Sequence, residues 1–489
     1  MSTLVEGVRT LLQDAATVYA GSPAQATITA AITRLDEPLR VAIAGKVKAG
    51  KSTLLNALIG EELAPTDAGE CTRIVTWYRD GMTYRVLLRP LEGGGERQVP
   101  FGRDDGAIQI DLGGVTADEV DRLTVEWPSA SLREMTLIDT PGLASLSSDI
   151  SQRTHAFLTP DDDRETQADA VLYLMRHLHN SDIRFLEAFH DEQVAQATPI
   201  NAVGVLSRAD EIGVGRIDAM TSARRIAWRY RYDPKVRRLC QTVVPVAGLL
   251  AQSGSTLREE EFRALASIAQ AARSDVDGLL LSADRFVSAP SPVPLVEQER
   301  QALLERLGMF GIRLSVALIR QGAATNASQL AVELVARSGL DELRQVLLTQ
   351  FAARRDILKA RAALLSLEAL VRELPTPHSS RLEGEAERIW SGAHEFAEIR
   401  LLNALRTGTV TFKAEETADA ERLLGAAGTT TTARLGLPPS TPPAQQLPTV
   451  QAALTKWKRR AENPLSTREV ADAARVLVRT CEGMLVALR

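Results

Sequence analysis

The sequence predicts an α/β domain with a doubly wound, mainly parallel sheet, joined to an all-α helical bundle. Three observations support this division. Short apolar runs alternate with helical patterns between residues 39 and 247, as is typical of doubly wound folds. A glycine-rich segment at residues 45–53 fits the phosphate-binding sequence G-x-x-x-x-G-K-[ST] and lies between an apolar run and a helical pattern. From about Arg258 onward the pattern is helical.

Length, composition and charge narrow the class of protein. A chain of 489 residues is too long for one compact core, so two or more domains are expected. The net charge of -5 gives no electrostatic argument for a nucleic-acid partner. Three widely spaced cysteines favour a reducing, cytosolic compartment over a disulfide framework. No apolar run approaches the roughly 18 residues of a membrane-spanning helix, so any membrane contact is expected to be peripheral.

Two helices are predicted ahead of the first strand, at residues 1–20 and 24–35. In the first, apolar side chains recur in alternating steps of four and three, which is the pattern of a helix that packs along a partner. These residues are Leu4, Val8, Leu11, Ala15 and Val18.

The glycine-rich segment has the context that phosphate binding requires. Residues 39–44 are predicted to form a buried parallel strand, and residues 53–59, closed by Gly60, a helix. This order directs backbone N–H groups and the helix N-terminus at an anion. Residues 74–78 and 84–88 flank Asp80-Gly81, which is a hairpin signal. Further buried strands are predicted at residues 135–138, 170–174, 203–206 and 243–246.

The helical part is predicted to contain a helix of about 30 residues from Ser338, long enough to leave a globular domain. Residues 425–448 are rich in Gly, Thr and Pro and are predicted to be flexible. The last helix follows a capping-box pattern at residues 466–469 and repeats the alternation of the first helix. The sequence therefore predicts one antiparallel bundle built from both chain ends. Separate amphipathic helices that each lie on the α/β domain are the alternative.

The candidate phosphate and metal residues follow from the glycine-rich loop. Lys51 is expected to reach the β- and γ-phosphates, and the Ser52 hydroxyl to hold Mg²⁺. Asp139 ends an apolar strand, where its carboxylate can hold the Mg²⁺ shell, and Gly142 can offer its N–H to the γ-phosphate. Other loop residues expected to bind nucleotide are Gly45, Lys48, Ala49, Gly50 and Thr53.

Thr72 is the candidate for a switching metal ligand. A threonine in a loop between the phosphate loop and Asp139 can bind Mg²⁺ when the γ-phosphate is present and release it afterwards. Thr66 is the second candidate for this role, and a plain loop threonine is the alternative.

Base selection is expected from Ser207, Arg208 and Asp210, at the end of a strand. Here GTP-binding proteins carry Asn/Thr-Lys-x-Asp, and Asp210 can accept hydrogen bonds from the guanine N1–H and exocyclic amine, a donor pair that adenine lacks. Arg208 replaces the usual Lys, and its stem can still pack on the base. An ordinary capping Asp is the alternative. Residues 245–248 are a possible backbone clamp on the base.

With these motifs in place, the chain resembles the bacterial dynamin-like GTPases. The resemblance lies in residues 45–58, 70–81 and 139–142 and in the long helix from Ser338. Residues 204–211 are most similar to the isoniazid-induced dynamin-like proteins of mycobacteria. The resemblance implies an α/β P-loop GTPase domain at residues 37–340, with a helical neck and trunk from residues 1–36 and 341–489.

The resemblance also implies a function. The family hydrolyses GTP with Mg²⁺, couples hydrolysis to self-association through the GTPase domain, and acts in the cytoplasm as a peripheral protein at the inner face of the plasma membrane. The expected outcome is remodelling or maintenance of that membrane. A second possibility is a GTP-switched binding module that acts through a related dynamin-like partner with little hydrolysis.

Two positions depart from fast-hydrolysing dynamins. Val47 stands where those proteins carry a water-orienting Gln, and Leu143 is also apolar, so slow basal hydrolysis is expected. Lys48 aligns with the residue that holds a monovalent cation in several GTPases. Its ammonium is expected to take the place of that cation and stabilise charge between the phosphates; a solvated lysine is the alternative.

A candidate membrane site lies in the C-terminal part. An aromatic side chain among cations can bind an anionic lipid surface, with about 1 kcal/mol for each cation. The residues are Lys456, Trp457, Lys458, Arg459 and Arg460. A solvated helix face with one packed Trp is the alternative.

Overall fold

The computed structural model describes residues 3–64, 74–91, 95–104, 107–141, 168–177, 183, 201–290 and 293–488. Strands and helices are numbered below in chain order over these residues. The predicted fold class is confirmed: a nine-stranded, mostly parallel sheet with flanking helices is followed by a helical part.

The sheet places its parallel strands around the glycine-rich loop. Its strand order is β11-β10-β9-β1-β8-β2-β7-β3-β4, and the run from β11 to β8 is parallel throughout. The bounds are β1 Leu39–Gly45, β2 Thr76–Arg79, β3 Arg85–Pro90, β4 Arg97–Val99, β5 Phe101–Asp104, β6 Ala107–Ile110, β7 Val120–Glu126, β8 Met135–Asp139, β9 Ala170–Met175, β10 Ala202–Ser207 and β11 Val243–Val246. β5 and β6 pair separately.

Both faces of the central strands are buried, because alternate β1 side chains belong to different hydrophobic clusters. Val41 and Ile43 pack on one face, and Ala42 and Ala44 on the other. The helices of the domain are α3 Lys51–Ile59, α4 Ala130–Glu134, α5 Ala219–Tyr232, α6 Pro234–Arg237 and α7 Gly248–Ser255. The helical additions α8 Glu259–Gln270, α9 Arg273–Leu279, α10 Ala283–Ser288, α11 Glu297–Arg320 and α12 Ala327–Arg337 form a neighbouring cluster with α5 and α7.

The predicted hairpin at Asp80-Gly81 is wrong. β7 lies between β2 and β3 and pairs with both of them. The Glu126 carboxylate at the end of β7 accepts hydrogen bonds from Arg79 on β2 and Arg85 on β3. A strand from about 40 residues later thus supplies both the backbone partners and the charge that two neighbouring arginines require.

The long helix predicted from Ser338 is interrupted. It consists of α13 Leu340–Val346, a π turn Leu347–Phe351, a 3₁₀ turn Ala352–Arg354 and α14 Arg355–Glu373. Leu340, Leu343, Leu347 and Phe351 are buried in the core of the α/β domain. The α/β core therefore continues past the predicted boundary at residue 340.

The prediction of one bundle from both chain ends is also wrong. A first bundle contains α1 Thr3–Val18, α2 Ala24–Asp36, α14 and α15 Ser379–Gly392. A second bundle contains α16 His394–Thr407, α17 Ala414–Leu423, α18 Thr431–Leu435, α19 Pro443–Ala461 and α20 Arg468–Ala487. The seams of α1 and α20 are alike, but each helix packs on a neighbour reached by a short connection, α2 and α19 respectively, for which the entropy of loop closure is low.

Residues 425–448, predicted to be flexible, contain α18 and the first turn of α19. The residues that suggested flexibility are cap residues. The Thr430 hydroxyl accepts from the Ala433 N–H to cap α18, Gly436 ends α18 at φ +71°, and Pro443 occupies the first position of α19. Arg434 of α18 also binds the buried Glu398 carboxylate at 2.8 and 3.0 Å.

Replacement of Gly339 by alanine should strongly destabilise the protein. Gly339 precedes α13 at φ +83°, and an added Cβ would collide with the Pro245 carbonyl oxygen at the end of β11. Gly408→Ala is the matched control, because Gly408 has φ +80° and open space around its Cβ. Backbone strain alone costs about 1 to 2 kcal/mol, so thermal unfolding should show a much lower midpoint for Gly339→Ala than for Gly408→Ala. Equal midpoints would contradict the packing of α13 on β11.

Candidate functional site

The phosphate loop owes its shape to residues with positive φ. Gly45 ends β1 at φ +153°, and a Cβ there would lie 2.7 Å from the Leu174 carbonyl oxygen on β9. Lys48 has φ +61°, and Gly50 has φ +91° where it precedes α3. Gly45 permits close contact with β9, while Gly50 turns the chain into α3. The N-terminus of α3 thus lies directly after the loop, as phosphate binding requires.

Asp139 and Ser52 form the candidate metal site. The Ser52 hydroxyl donates to Asp139 Oδ2 at 3.2 Å, and Asp139 Oδ1 is buried without a hydrogen-bond partner among the described residues. Burial raises the pKa of Asp139 to about 6, against the lowering effects of the Lys51 charge and the Ser52 hydrogen bond. An unpaired buried carboxylate oxygen beside a hydroxyl fits Mg²⁺, which prefers oxygen ligands.

Lys51 and Thr140 complete this end of the site. Burial lowers the pKa of Lys51, while the Asp139 carboxylate opposes that effect. The Thr140 hydroxyl donates to the Ile43 carbonyl oxygen at 2.9 Å and so ties the end of β8 to β1. Asp139, Ser52 and Lys51 are therefore brought together as the sequence predicts.

A cavity of about 140 Å³ joins the loop to the predicted base-selecting residues. It is lined by Ala49, Gly50, Thr53, Leu54, Leu174, Val205, Ser207, Arg208, Asp210, Glu211, Val246, Gly248 and Leu249. Loop residues, the end of β10 and the segment after β11 thus face one space. The proposed clamp at residues 245–248 contributes Val246 and Gly248 to this lining.

Asp210 is buried at the end of this cavity. Arg208 adopts φ +51° and leads into a 3₁₀ turn, Ala209–Glu211, that turns Asp210 inward. Burial, reinforced by the Glu211 charge, raises the pKa of Asp210 to about 6, while its backbone hydrogen bond and Arg208 act in the opposite direction. Arg208 Nη1 binds Glu211 Oε1 at 2.7 Å, and both residues line the cavity.

Sequence reasoning missed the contribution of α11. Gly308 interrupts that helix at φ +62°, and a Cβ there would lie 3.6 Å from Leu249 and 4.0 Å from Asp210 Oδ2. The available signal was a glycine inside an otherwise helical pattern. The helical additions thus reach the Asp210 carboxylate through this kink.

Several predicted residues lie outside the described part of the chain. They are Thr72, its alternative Thr66, Gly142 and Leu143, and their roles stay predictions. Val47 and Lys48 are described and lie exposed on the loop, with Val47 50% exposed.

The candidate membrane site of the C-terminal part is wrong. Trp457 is fully buried in the second bundle, where its ring lies 5.2 Å from that of Phe412. Three of its neighbouring cations, Lys456, Lys458 and Arg460, are near the carboxylates of Asp419, Glu482 and Glu416 at 2.7, 3.3 and 3.8 Å. Arg459 is exposed. The alternative, a solvated helix face with one packed Trp, describes this segment.

Within the described ranges, no helix combines the length and apolarity needed to cross a bilayer.

Comparison with known proteins agrees with the geometry. The model of the dynamin family matches residues 41–201. The isoniazid-induced protein IniC of Mycobacterium tuberculosis is 42% identical over 486 residues, which are 98% of this chain and 97% of that protein. A bacterial dynamin-like protein of Nostoc punctiforme is 34% identical over 114 residues, 21% of this chain and 16% of that protein.

A solved structure covers 99% of this chain and 75% of its own chain at 12% identity, with a TM-score of 0.33. It is described as an oligomerised bacterial dynamin pair that provides a mechanism for long-range sensing and tethering of membranes. A TM-score this low supports no conclusion about domain arrangement. Because the similarity to IniC extends over nearly the whole of both chains, this chain belongs to the bacterial dynamin-like GTPases.

Proposed function

We propose that this dynamin-like GTPase binds GTP with Mg²⁺, hydrolyses it slowly, and couples nucleotide state to self-association and to remodelling or maintenance of the cytoplasmic membrane. We place it in the cytoplasm, peripheral to the inner face of the plasma membrane. The observation that carries the proposal is the buried Asp210 carboxylate, which faces the same cavity as the phosphate loop.

Guanine selection follows from the chemistry of Asp210. A buried carboxylate with a raised pKa gains most from a ligand that supplies two N–H donors. Guanine presents this pair at N1 and the exocyclic amine, and adenine does not. Leu174 and Leu249 supply apolar surface for the flat base in the same cavity.

Slow hydrolysis is proposed from the phosphate end of the site. Ser52 and Asp139 would hold Mg²⁺, which when bound neutralises charge on the phosphates, and Lys51 would bind the β- and γ-phosphates. Lys48 is proposed to stabilise charge between the phosphates in place of a monovalent cation. Val47 can neither donate nor accept a hydrogen bond, so its side chain cannot orient the attacking water.

The route from the nucleotide site to the first bundle is proposed to run through α13. The Ala247 N–H, beside the base cavity, donates to the Ser338 carbonyl oxygen at 2.8 Å. Arg344 of α13 donates to the Ala57 carbonyl oxygen near the end of α3 at 3.2 Å. α13 therefore contacts the phosphate-binding helix, while Ser338, just before α13, contacts the segment that closes the base cavity. α13 leads towards α14.

A second contact joins the first bundle to the sheet. Arg34 of α2 binds the buried Asp169 carboxylate at 2.7 Å, and the other oxygen of Asp169 accepts from the Arg40 N–H at 2.9 Å. Lys359 of α14 donates to the Arg34 carbonyl oxygen at 2.8 Å and to that of Leu35 at 3.2 Å. Movement of α14 is thereby linked to the start of β1.

The alternative is a GTP-switched binding module that acts through a related dynamin-like partner and hydrolyses little GTP. The exposed, apolar Val47 favours this reading, because its side chain cannot orient the attacking water.

Substitution of Asp210 by asparagine should exchange the base preference. The amide removes the acceptor pair for guanine and offers a donor to the carbonyl that xanthine carries in place of the guanine amine. Equilibrium binding should show GTP affinity lowered by about a hundredfold or more, with a gain for xanthosine triphosphate that shows the variant to be folded. Asp218→Asn, an exposed carboxylate at the start of α5, is the matched control and should bind GTP normally. Unchanged GTP affinity in Asp210→Asn would refute the assignment.

The gain in GTP affinity that Mg²⁺ provides should fall as the pH is lowered through about 6. The pKa of Asp139 in the folded protein is about 6, so the carboxylate that Mg²⁺ requires is ionised above this pH and protonated below it. The ratio of the GTP affinity measured with Mg²⁺ to that measured with a chelator should drop by about tenfold for each pH unit below 6. This drop should exceed any change in the same ratio for Asp139→Asn. That variant corrects for titration of the nucleotide itself. The same pH dependence in both proteins would contradict the metal role of Asp139.

Specific GTPase activity should rise with protein concentration if turnover depends on self-association through the GTPase domain. The measurement is steady-state phosphate release over a series of protein concentrations, with light scattering on the same samples and albumin added to keep total protein constant. A parallel rise in activity and scattering supports the self-assembling GTPase. Flat, low activity at all concentrations would instead support the switched binding module.

A further inference from the structure

The helix α5 (Ala219–Tyr232) carries an exposed aromatic pair on the α/β domain. Trp228 is 59% exposed and Tyr232 is 63% exposed, and their ring centroids are 4.9 Å apart. An isolated exposed aromatic side chain is ordinary. Two large rings in contact one helical turn apart, with their planes tilted by 51°, form a continuous apolar surface, which is typical of an interaction site.

Cations flank the aromatic pair on both sides. Because an α-helix turns about 100° per residue, Trp228 and Tyr232 lie in the middle of the exposed side. Arg224 lies along one edge of that side, and Arg225 and Arg229 lie along the other. The opposite side of the helix is buried through Ala219, Met220, Ala223 and Ala227.

Among the residues that the structure describes, no carboxylate neutralises these three arginines. α5 contains no Asp or Glu, and none of Arg224, Arg225 and Arg229 forms an ion pair within the described ranges. The acidic residues at the ends of α5 are engaged elsewhere. Asp218 binds Arg216 at 3.2 Å, and Asp233 caps α6 by accepting from the Lys235 N–H. The exposed side of α5 is therefore a compact cationic surface with an aromatic centre.

The helix α19 also carries a tryptophan among cations, but these residues are arranged in the opposite way. There Trp457 is buried, and Lys456 lies 2.7 Å from the Asp419 carboxylate. On α5 the aromatic rings and the cations are exposed together. Only α5 of these two helices can place rings at the level of lipid headgroups while its cations bind phosphates.

We propose that the exposed side of α5, formed by Arg224, Arg225, Trp228, Arg229 and Tyr232, docks on an anionic phospholipid bilayer. The helix lies flat on the surface, with the Trp and Tyr rings at the headgroup boundary. The three guanidinium groups bind lipid phosphates, for which their planar donor geometry is suited. The inference deepens the proposed function, on which it rests for the statement that the chain acts at a membrane.

This docking site has a direct structural connection to the nucleotide. The buried side of α5 packs with Leu206 and Ala209 of the guanine-selecting segment. Arg231 anchors the helix by donating to the Val243 carbonyl oxygen at 2.8 Å and by binding Glu342 of α13 at 2.6 Å. Contact of α5 with lipid would thus affect the base cavity and α13 through these packed side chains.

Vesicle cosedimentation with the full chain tests the proposal. One variant combines Arg224→Glu, Arg225→Glu and Arg229→Glu. Its matched control combines Arg263→Glu, Arg285→Glu and Arg479→Glu, three exposed arginines without an ion pair in the described part of the chain. Both triple variants change the net charge equally, so a difference between them reports position alone.

We expect the unmodified chain to bind vesicles of phosphatidylglycerol mixed with phosphatidylcholine, and to bind less as salt rises. The α5 variant should bind on the order of a hundredfold more weakly, because each cation near an anionic surface contributes about fivefold. The control variant should bind like the unmodified chain. Equal binding by both triple variants, or equal binding to vesicles of phosphatidylcholine alone, would overturn the proposal.

Trp228 provides a second measurement. Of the five tryptophans, Trp77, Trp127 and Trp457 are buried, whereas Trp228 is largely exposed. Vesicles should shift its emission to the blue, and brominated lipids should quench it; Trp228→Phe should lose both effects. Protection of Trp228 that rises with protein concentration and needs no vesicles would overturn the proposal in favour of a contact between copies of the chain.

GTP affinity, measured on the same proteins, separates the two proposals. If the α5 variant binds GTP normally and vesicle binding is unaffected, only the docking surface is refuted. If neither the unmodified chain nor any variant binds GTP, the proposed function fails, whatever the vesicle binding is.

Discussion

The nucleotide site depends on the burial of a carboxylate that the surrounding protein groups satisfy only in part. Asp139 ends a central strand, and one of its oxygens contacts no donor among the described residues. An ionised group in this position is unfavourable, as its raised pKa shows. Lys51 and Ser52 offset only part of this cost. A bound cation would remove the rest, so the energetic gain on binding is concentrated at one oxygen.

Asp210 applies the same principle at the other end of the site. It lies in the turn that follows β10, whereas Asp139 ends β8, and β1 and β9 lie between these two strands in the sheet. Carboxyl ends of parallel strands lie along one edge, so two buried carboxylates face the same side of the sheet. A ligand that binds both carboxylates must span the distance between Asp139 and Asp210. A base joined through a sugar to phosphates and a cation has this form, which explains why the two motifs are separated in the chain but adjacent in function.

Short motifs were predictable from the sequence, and long-range partners were not. The loop at residues 45–53 and the turn at Ser207–Asp210 depend on nearest neighbours and on strand ends, which the sequence states directly. The seams of α1 and α20 show why the bundle could not be predicted in the same way. Both seams fit many partners, and chain connectivity selects α2 for one and α19 for the other. The insertion of β7 between β2 and β3 is a long-range pairing of the same kind.

Glycine, proline and threonine were misread where they act as caps. In residues 425–448 they occur at the ends of short helices, and composition alone cannot distinguish a row of caps from a flexible linker. Gly339 illustrates the opposite case. Its sequence context suggests only a helix start, but its real constraint is the Pro245 carbonyl of a strand almost a hundred residues earlier. A close contact between segments that are far apart in the chain leaves no signal in the local sequence.

Net charge is a poor guide to local surfaces for a related physical reason. The chain carries -5 overall, yet the fourteen residues of α5 place on one side three arginines that have no ion pair in the described part of the chain. Charges interact over a screening length of about 8 to 10 Å in physiological salt. A bound surface therefore responds to the few groups within that distance and not to the sum over the chain. On α19 carboxylates lie within 4 Å of three of the cations, while no described carboxylate pairs with Arg224, Arg225 or Arg229 of α5. Position relative to counter-charges, which only the folded structure defines, distinguishes these two similar sequences.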